Sequence, residues 1–224
     1  MVTLRPEKST SRRIIWRISF IIVLICLIIT VRLVEDFGPE WFGDERFIVA
    51  RVIDGDTVEL MGGDKVRLLA IDAPEKGQPL YDRATEVLGQ LTLGKTVRLE
   101  FSGRKRDRYG RLLGFVIIDD TLMVNRVMLE KGLANLYLFK DTDNKSDKIK
   151  MLLTAQREGM KNERGIWALE YEPEYYYVSL LGSFRFHRPS CQSISRGSSQ
   201  EHIRYEIREQ AMALGLSPCR NCKP

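Results

Sequence analysis

The sequence lacks an excess of charge of either sign over most of its length. Its formal net charge is +5 and its pI is near 9.0. That excess lies in residues 1–34, where six basic residues stand against one acidic residue, whereas the remaining 190 residues hold 29 basic and 29 acidic residues. The high pI therefore belongs to the N-terminal segment and is no argument, by itself, that the rest of the chain binds nucleic acid.

The sequence also lacks the composition of a disordered chain and shows no internal repeat. Hydrophobic residues make up 44% and charged residues 29% of it, which is typical of folded proteins. At 224 residues it is long enough for one good-sized domain or two small ones.

One apolar run lacks the polar stripe of a core helix. Residues 18–31 are apolar apart from Ser19 and Thr30, and Arg17 and Arg32 flank them. We predict a transmembrane signal-anchor at residues 14–34, after a basic tail at residues 1–13. No small-x-small pair follows the run, so we do not expect cleavage; the alternative is a secreted protein whose signal is cleaved. The basic residues before the run predict a cytoplasmic N-terminus and an external catalytic domain.

The chain after this segment alternates short strands and helices. Five segments rich in Val, Ile and Leu, separated by Gly-containing turns, predict strands, and helical spacing of apolar residues marks 81–91, 123–131 and 148–160. This pattern predicts an α+β fold with a five-stranded OB-type β-barrel. We place the main domain at residues 47–168, linkers at 35–46 and 169–183, and a small module at 184–224.

Acidic residues gather where two predicted strands meet loops. Asp56 follows the Asp54-Gly55 turn, and Asp72, Ala73 and Glu75 follow another strand. Carboxylate oxygens and a backbone carbonyl suit Ca²⁺. Asp56, Asp72 and the carbonyl of Ala73 are candidate calcium ligands, and Glu75 can orient or deprotonate a water.

Two arginines complete this candidate site. Arg67 lies near the start of the strand that leads to Asp72, and Arg111 opens the fifth strand. Guanidinium groups can grip a phosphate with two hydrogen bonds, as phosphodiester cleavage requires. Taken singly, each residue is also explained as a turn or solvated strand residue; their order along the chain favours chemistry.

The segments IDGDT, RLLAIDAPE and DRYGR, in that order, resemble those of the staphylococcal nuclease (thermonuclease) family. The resemblance runs from about residue 47 to residue 167. It implies calcium-dependent cleavage, with Asp56, Asp72 and Ala73 at the metal, Glu75 activating water, and Arg67 and Arg111 on the phosphate. It also implies nucleotide contacts from Tyr109 and Tyr137. Asp54 and Thr57 would support the residues that hold the calcium ion. The family's metal-loop threonine is Ala73 here, but only its carbonyl is needed.

The C-terminal segment carries a second ligand set. His187 and Cys191 are separated by three residues, and Cys219 and Cys222 by two. This set suits tetrahedral Zn²⁺, and a module of about 40 residues has too little core to be stable alone. A disulfide of Cys219 with Cys222, or of Cys191 with either, is the alternative.

The C-terminal segment resembles the zinc-binding N-terminal domain of the Ada DNA-repair protein. Ada-type domains hold zinc with four cysteines, and His187 stands where the first, methyl-accepting cysteine would be. The resemblance therefore implies a structural zinc and does not extend to methyl transfer.

These observations together predict a membrane-anchored, Ca²⁺-dependent endonuclease acting on DNA, with RNA as a further candidate substrate, and with little sequence specificity. The alternative is a catalytically weak nucleic-acid-binding module at the membrane. The complete set of acids and arginines favours the enzyme. A membrane-bound scaffold has only the apolar run in its favour, and no protein partner can be deduced.

Overall fold

A computed structural model describes residues 20–25, 46–140, 142–195 and 201–224. The chain divides into two compact units, residues 1–45 and residues 46–224, and each is described by itself. The described residues outside the first unit form a mixed α/β structure, which confirms the predicted fold class at that level.

The N-terminal unit overturns the predicted single-pass membrane location. Within the described residues, no helix is long and apolar enough to cross a membrane. The described residues of the predicted 14–34 anchor are 20–25, which are helical. The other residues of the predicted 14–34 anchor lie outside the described residues.

The described part of the second unit contains twelve strands and five α-helices. The strands are β1 (Arg46–Asp54), β2 (Thr57–Leu60), β3 (Lys65–Leu68), β4 (Ile71–Asp72), β5 (Thr96–Arg106), β6 (Leu112–Ile118), β7 (Leu122–Met123), β8 (Asn135–Leu136), β9 (Tyr177–Leu180), β10 (Arg185–His187), β11 (His202–Tyr205) and β12 (Ser217–Pro218). The helices are α1 (Tyr81–Thr92), α2 (Val124–Glu130), α3 (Asp147–Lys161), α4 (Gln192–Ser195) and α5 (Arg208–Ala213), with a 3-10 helix at Gly165–Ala168. The five predicted strands and three predicted helices of the main domain are all present, with small shifts at their ends.

The first sheet has the order β3-β2-β1-β5-β6-β7, and β3 also pairs with β6. The pairings therefore run from β1 through β2, β3, β6 and β5 back to β1. The β3–β6 pair is parallel and the others in this ring are antiparallel. All seven residues of β6 are buried, as expected for a strand with partners on both edges.

The helices cover this sheet and build its core. Ala84, Val87 and Leu88 of α1 and Met128 and Leu129 of α2 belong to the same apolar cluster as the strands. The start of α3 is fixed by Ser146, whose hydroxyl accepts a hydrogen bond from the N–H of Ile149. This core holds the loops between strands in place, and those loops carry the candidate site.

A second sheet, with the order β11-β9-β10-β12, forms the C-terminal part. Its apolar cluster contains Tyr177, Phe186 and Tyr205, and Met160 and Trp167 pack against it. Strand β9 lies within the segment 169–183 that the sequence suggested as a linker. The domain boundaries themselves stay predictions.

One buried glutamine ties the C-terminal part to the nearby helix and strand. The Gln156 Oε1 atom accepts a hydrogen bond of 2.6 Å from the N–H of Leu136, and its Nε2 atom donates one of 2.7 Å to the carbonyl of Met212. The side chain is fully buried. Ser217 adds a hydrogen bond of 2.8 Å from its hydroxyl to the Leu136 carbonyl. Since none of these groups is open to water, each bond would be costly to lose.

We expect Gln156→Leu to lower the free energy of unfolding by about 1–3 kcal/mol, because it leaves the buried N–H of Leu136 without its partner. The Met212 carbonyl loses one hydrogen bond but keeps that from the N–H of Gly215. Urea unfolding followed by circular dichroism measures this change. The matched control is Gln90→Leu on α1, where the amide is exposed and bonds only Glu86 among the described residues. Equal stability of the two variants would show that Gln156 does not join the two parts.

Candidate active site

The first acidic group is fixed by the tight turn between β1 and β2. The N–H of Asp56 donates to Oδ1 of Asp54 over 3.1 Å, which closes the turn. A Cβ added at Gly55 would lie 2.7 Å from Cβ of Ala84 and 2.8 Å from Cβ of Ala73. Glycine is therefore needed here because α1 and the loop after β4 approach the turn closely.

Asp56 joins this turn to the loop after β4. Its Oδ2 atom accepts a hydrogen bond of 2.9 Å from the N–H of Ala73, and its Oδ1 atom accepts one of 3.0 Å from the Thr57 hydroxyl. Asp56 and Thr57 are both buried. The carboxylate is thus held in one orientation before any ligand arrives.

Arg67 is the centre of the charged cluster. Its Nη2 atom lies 3.0 Å from Oδ2 of Asp56 and 2.9 Å from Oδ1 of Asp72. Its Nη1 atom donates to the carbonyls of Leu68 and Ile71 over 2.9 and 2.7 Å. One buried guanidinium therefore fixes both candidate calcium carboxylates and the turn between β3 and β4.

The turn between β3 and β4 is also held by residues from other parts of the chain. Ala70 has φ 65°, in the left-handed region that few residues other than glycine adopt. Its carbonyl accepts a hydrogen bond of 2.8 Å from the N–H of Tyr137, and the neighbouring Leu69 carbonyl accepts one of 2.8 Å from Nδ2 of Asn125. These two contacts hold the loop that carries Asp72 in an otherwise unfavourable conformation.

Arg111 is positioned by a carboxylate that sequence reasoning did not single out. Its Nε atom donates to Oδ2 of Asp107 over 2.8 Å, and Oδ1 of Asp107 accepts from the N–H groups of Tyr109 and Arg111. The Arg111 Nη1 atom donates to the Thr57 hydroxyl over 3.4 Å. In the sequence, the spacing of an Asp four residues before an Arg in one turn could have indicated this pair.

These groups surround one cavity of about 360 Å³, lined by Asp54, Asp56, Arg67, Ala73, Pro74, Glu75, Tyr109, Arg111 and Arg220. Glu75 is exposed at its wall, and the N–H of Glu75 donates to Oε1 of Gln78 over 2.7 Å. The Tyr109 ring is 67% exposed, with the Arg111 guanidinium 5.5 Å from its centroid. Asp72 is not among the residues that line the cavity, but it pairs with Arg67, which is. The cavity thus combines the buried carboxylate of Asp56, three arginines and the open carboxylate of Glu75.

Burial is the largest influence on Asp56. It raises the pKa of that carboxyl to about 7, although the Arg67 charge acts in the opposite direction. A carboxylate that burial makes costly to ionise is stabilised by a further positive charge. This site can therefore hold a cation, and it can present guanidinium groups to an anion.

Comparison with known proteins now decides the family. The model described as staphylococcal nuclease homologue matches residues 65–169. A protein named uncharacterized endonuclease, from Escherichia coli O157:H7, is 40% identical over 123 residues, which are 54% of this chain and 75% of that protein. The thermonuclease of Staphylococcus intermedius is 34% identical over 133 residues, 55% of this chain and 76% of its own.

This chain belongs to the staphylococcal nuclease family. The match confirms the predicted enzyme class, a nuclease that hydrolyses phosphodiester bonds. A further relative, the succinoglycan biosynthesis protein ExoI of Rhizobium meliloti, is 35% identical over 153 residues, 63% of this chain and 73% of its own. The residues matched by the family model include Arg67, Asp72, Glu75 and Arg111, whereas Asp56 lies before them.

Tyr137 lies next to the candidate cavity but not in its wall: the guanidinium of Arg220, which lines the cavity, is 4.9 Å from the Tyr137 ring centroid. Tyr137 is not among the residues that line the 360 Å³ cavity. The Arg185 guanidinium lies 3.6 Å from its ring centroid, and Phe139 contacts the ring edge-on at 5.3 Å. Of the two tyrosines that we predicted to bind substrate, only Tyr109 has an open ring beside the cavity.

The structure also adds a residue to the nuclease cavity that the sequence did not suggest. Arg220, which lies between Cys219 and Cys222, donates a hydrogen bond of 2.6 Å from Nη2 to Oδ1 of Asp72. It comes from the C-terminal part, 148 residues away along the chain. No local signal in the sequence could have placed it there.

The four predicted zinc ligands of this nuclease form a separate cluster. One ligand atom from each of His187, Cys191, Cys219 and Cys222 lies within 4.8 Å of the others. The three cysteines are free thiols. Nδ1 of His187 is buried and has no hydrogen-bond partner among the described residues.

The surroundings of His187 favour the form that binds metal. Burial lowers the pKa of His187, and the Arg185 charge lowers it further, so the imidazole is neutral at neutral pH. A neutral imidazole with an unpartnered buried nitrogen beside three thiols fits a Zn²⁺ donor set.

We expect the metal-free nuclease to lose stability relative to Asp56→Asn as pH rises. The pKa of Asp56 is raised from 3.8 to about 7, so the stabilisation from its neutral form is complete below pH 3.8 and is lost as pH rises through about 7. Urea unfolding in chelator between pH 4 and pH 8 measures the difference between the two proteins.

The control for this experiment is Asp147→Asn. Lys150 donates a hydrogen bond to Asp147 and lowers its pKa, so its charged form stabilises the fold above pH 3.8 and this is lost as pH falls. Between pH 4 and pH 8 the stability difference for Asp147→Asn should therefore stay nearly constant, while that for Asp56→Asn changes. The same trend in both would contradict the inferred cost of ionising Asp56.

Proposed function

We propose that this nuclease is a Ca²⁺-dependent endonuclease that cleaves DNA, and RNA as a second substrate, with little sequence specificity. The observation that carries this proposal is the joint placement of Asp56, Arg67, Glu75 and Arg111 at one cavity, with Asp72 held beside them by Arg67. We take the ring of strand pairings around β1, β2, β3, β6 and β5 to be the OB-type barrel that displays these loops.

Asp56, Asp72 and the Ala73 carbonyl are the proposed calcium ligands. Oxygen donors of this kind are those that Ca²⁺ prefers. Oδ2 of Asp72 has no hydrogen-bond partner among the described residues, and Asp56 is neutralised by Arg67 alone among their side chains. When bound, the ion polarises the phosphate and stabilises the charge that grows on it.

Arg67 and Arg111 are the proposed phosphate-binding groups. Each is oriented by carboxylate or carbonyl acceptors, so little order has to be gained when substrate binds. Contacts to phosphate carry no base information. This supports cleavage at many sequences.

Glu75 and Tyr109 complete the proposed site. The Glu75 carboxylate is exposed at the cavity wall and can orient or deprotonate the attacking water. The open ring of Tyr109 can stack on a base or sugar at the rim. Tyr137 is a weaker candidate for a substrate contact than Tyr109, because the Arg185 guanidinium covers its ring.

We further propose that His187, Cys191, Cys219 and Cys222 bind one structural Zn²⁺, as in an Ada-like module. The support is their mutual distance of at most 4.8 Å, the free state of the thiols and the unpartnered Nδ1 of His187. These residues lie in β10, directly before α4 and in the loop after β12, so one ion would connect these three segments. The ion would stabilise a part of the chain whose own apolar core is small.

We expect plasmid and single-stranded DNA to be cleaved in Ca²⁺ and not in chelator. Arg67→Ala, Arg111→Ala and Glu75→Gln should each reduce the rate by about 10²-fold or more, because each removes a group that acts on the transition state. A gel assay of initial rates measures this effect.

Arg126→Ala is the control, because Arg126 on α2 is exposed and pairs only with Glu130 among the described residues. It should cleave at the wild-type rate. Full activity in chelator would exclude the calcium mechanism, and tight binding of DNA without cleavage would favour a binding module.

We expect freshly purified protein to contain one zinc per chain, measured by plasma mass spectrometry. Cys191→Ser should lose the metal and unfold at lower temperature, because the buried ligand set then lacks one thiolate. His202→Asn, which changes an exposed side chain that is not part of the cluster, should keep it. Zinc-free protein with a disulfide among Cys191, Cys219 and Cys222 would refute the zinc site.

A further inference from the structure

The loop between Cys219 and Cys222 brings an arginine of the C-terminal part into the nuclease cavity. Arg220 lines the 360 Å³ cavity together with Arg67, Glu75 and Arg111. Its side chain is 57% exposed, and Asp72 is its one hydrogen-bond partner in the described part of the chain. A guanidinium has five N–H donors, so most of those of Arg220 are open to a ligand.

The position of Arg220 is set by a loop that is fixed at several points. The N–H of Cys219 donates to the Phe186 carbonyl over 2.9 Å, and the N–H of Lys223 donates to the Cys219 carbonyl over 2.9 Å. Nδ2 of Asn221 donates to the Ser193 hydroxyl over 2.9 Å. Arg220 is therefore carried on a rigid loop and needs little ordering to bind an anion.

Arg220 also lines a second, adjoining cavity. This cavity of about 620 Å³ shares Ala73, Pro74, Glu75 and Arg220 with the first, and its wall includes Lys76 and Lys223. A strand that leaves the first cavity past Glu75 would have Arg220 and these two lysines in the wall beside it. Basic side chains thus continue beyond the proposed catalytic group.

We propose that Arg220 is a third phosphate-binding arginine of this nuclease, which holds a phosphate next to the scissile one on an extended single strand. This inference rests on the proposed function. It assigns substrate-binding work to the C-terminal part: the loop of Cys219 and Cys222 supplies one wall of the site. Arg67 and Arg111 act on the reacting phosphate, whereas Arg220 acts on its neighbour and determines the preference for substrates with several phosphates.

The test compares two substrates in Ca²⁺: a short single-stranded oligonucleotide, and a nucleoside 4-nitrophenyl phosphodiester, which has a single phosphate. Arg220→Ala should lower kcat/KM for the oligonucleotide by about tenfold, mainly through KM, since one charge-assisted contact is lost. Its effect on the single-phosphate substrate should be much smaller, since only the contact with Asp72 is lost there. Arg220→Lys should lie between, because it keeps the charge without the paired donors.

A binding experiment supports the kinetic one. In the Glu75→Gln background, fluorescence anisotropy of the same oligonucleotide in Ca²⁺ should give a slope of log K against log salt that is smaller by about 0.7 when Arg220 is alanine. Arg220→Lys should keep the original slope. A thermal unfolding midpoint for each protein checks that it is folded, and Arg220→Gln replaces the alanine variant if the latter does not fold.

The matched control is Arg204→Ala, since the Arg204 side chain is 58% exposed in the same C-terminal part but pairs with Glu206, away from the cavity. It should behave as wild type. Equal losses on both substrates would mean that Arg220 only supports Asp72, and no loss on either would mean that it does not contact substrate; each overturns the inference. Failure of the wild type to cleave either substrate would instead overturn the proposed function.

Discussion

The active-site architecture depends on the buried pairing of Arg67 with Asp56 and Asp72. These two carboxylates come from different loops, and Arg67 brings them together while also bonding the carbonyls of Leu68 and Ile71. Two acids this close would repel each other without it. Burying such a group is costly unless every partner is in place, and the Gly55 turn, the Ala73 N–H and the contacts to the turn at Ala70 supply those partners.

Much of this arrangement could be predicted from local sequence. The main-domain strands and helices follow from alternating and helical apolar spacing, since each buries one face or both against a single core. The candidate acids and arginines were found because they lie in the segments IDGDT, RLLAIDAPE and DRYGR, which follow one another in a recognisable order. Family comparison supports the nuclease class, while the role of each site residue stays a proposal.

What could not be predicted depends on contacts between distant segments. Arg220 reaches Asp72 across 148 residues, and Arg185 covers Tyr137 from β10. Asp107 was not predicted as a site residue, because it acts by orienting Arg111 and the motif alone does not show that contact. The predicted membrane location was wrong: it depended on the apolar run alone, and no helix of the described residues is long and apolar enough to cross a membrane.

The hydrogen bonds of Gln156 to Leu136 and Met212 have a consequence for biosynthesis. The ribosome makes residues 46–161 well before residues 208–220. Until the later segment emerges, the Gln156 amide and the Leu136 carbonyl lack their partners Met212 and Ser217, and Arg220 has not reached the cavity. A nascent chain therefore brings Arg220 to the candidate cavity only after the strands and helices of residues 46–161 have been made.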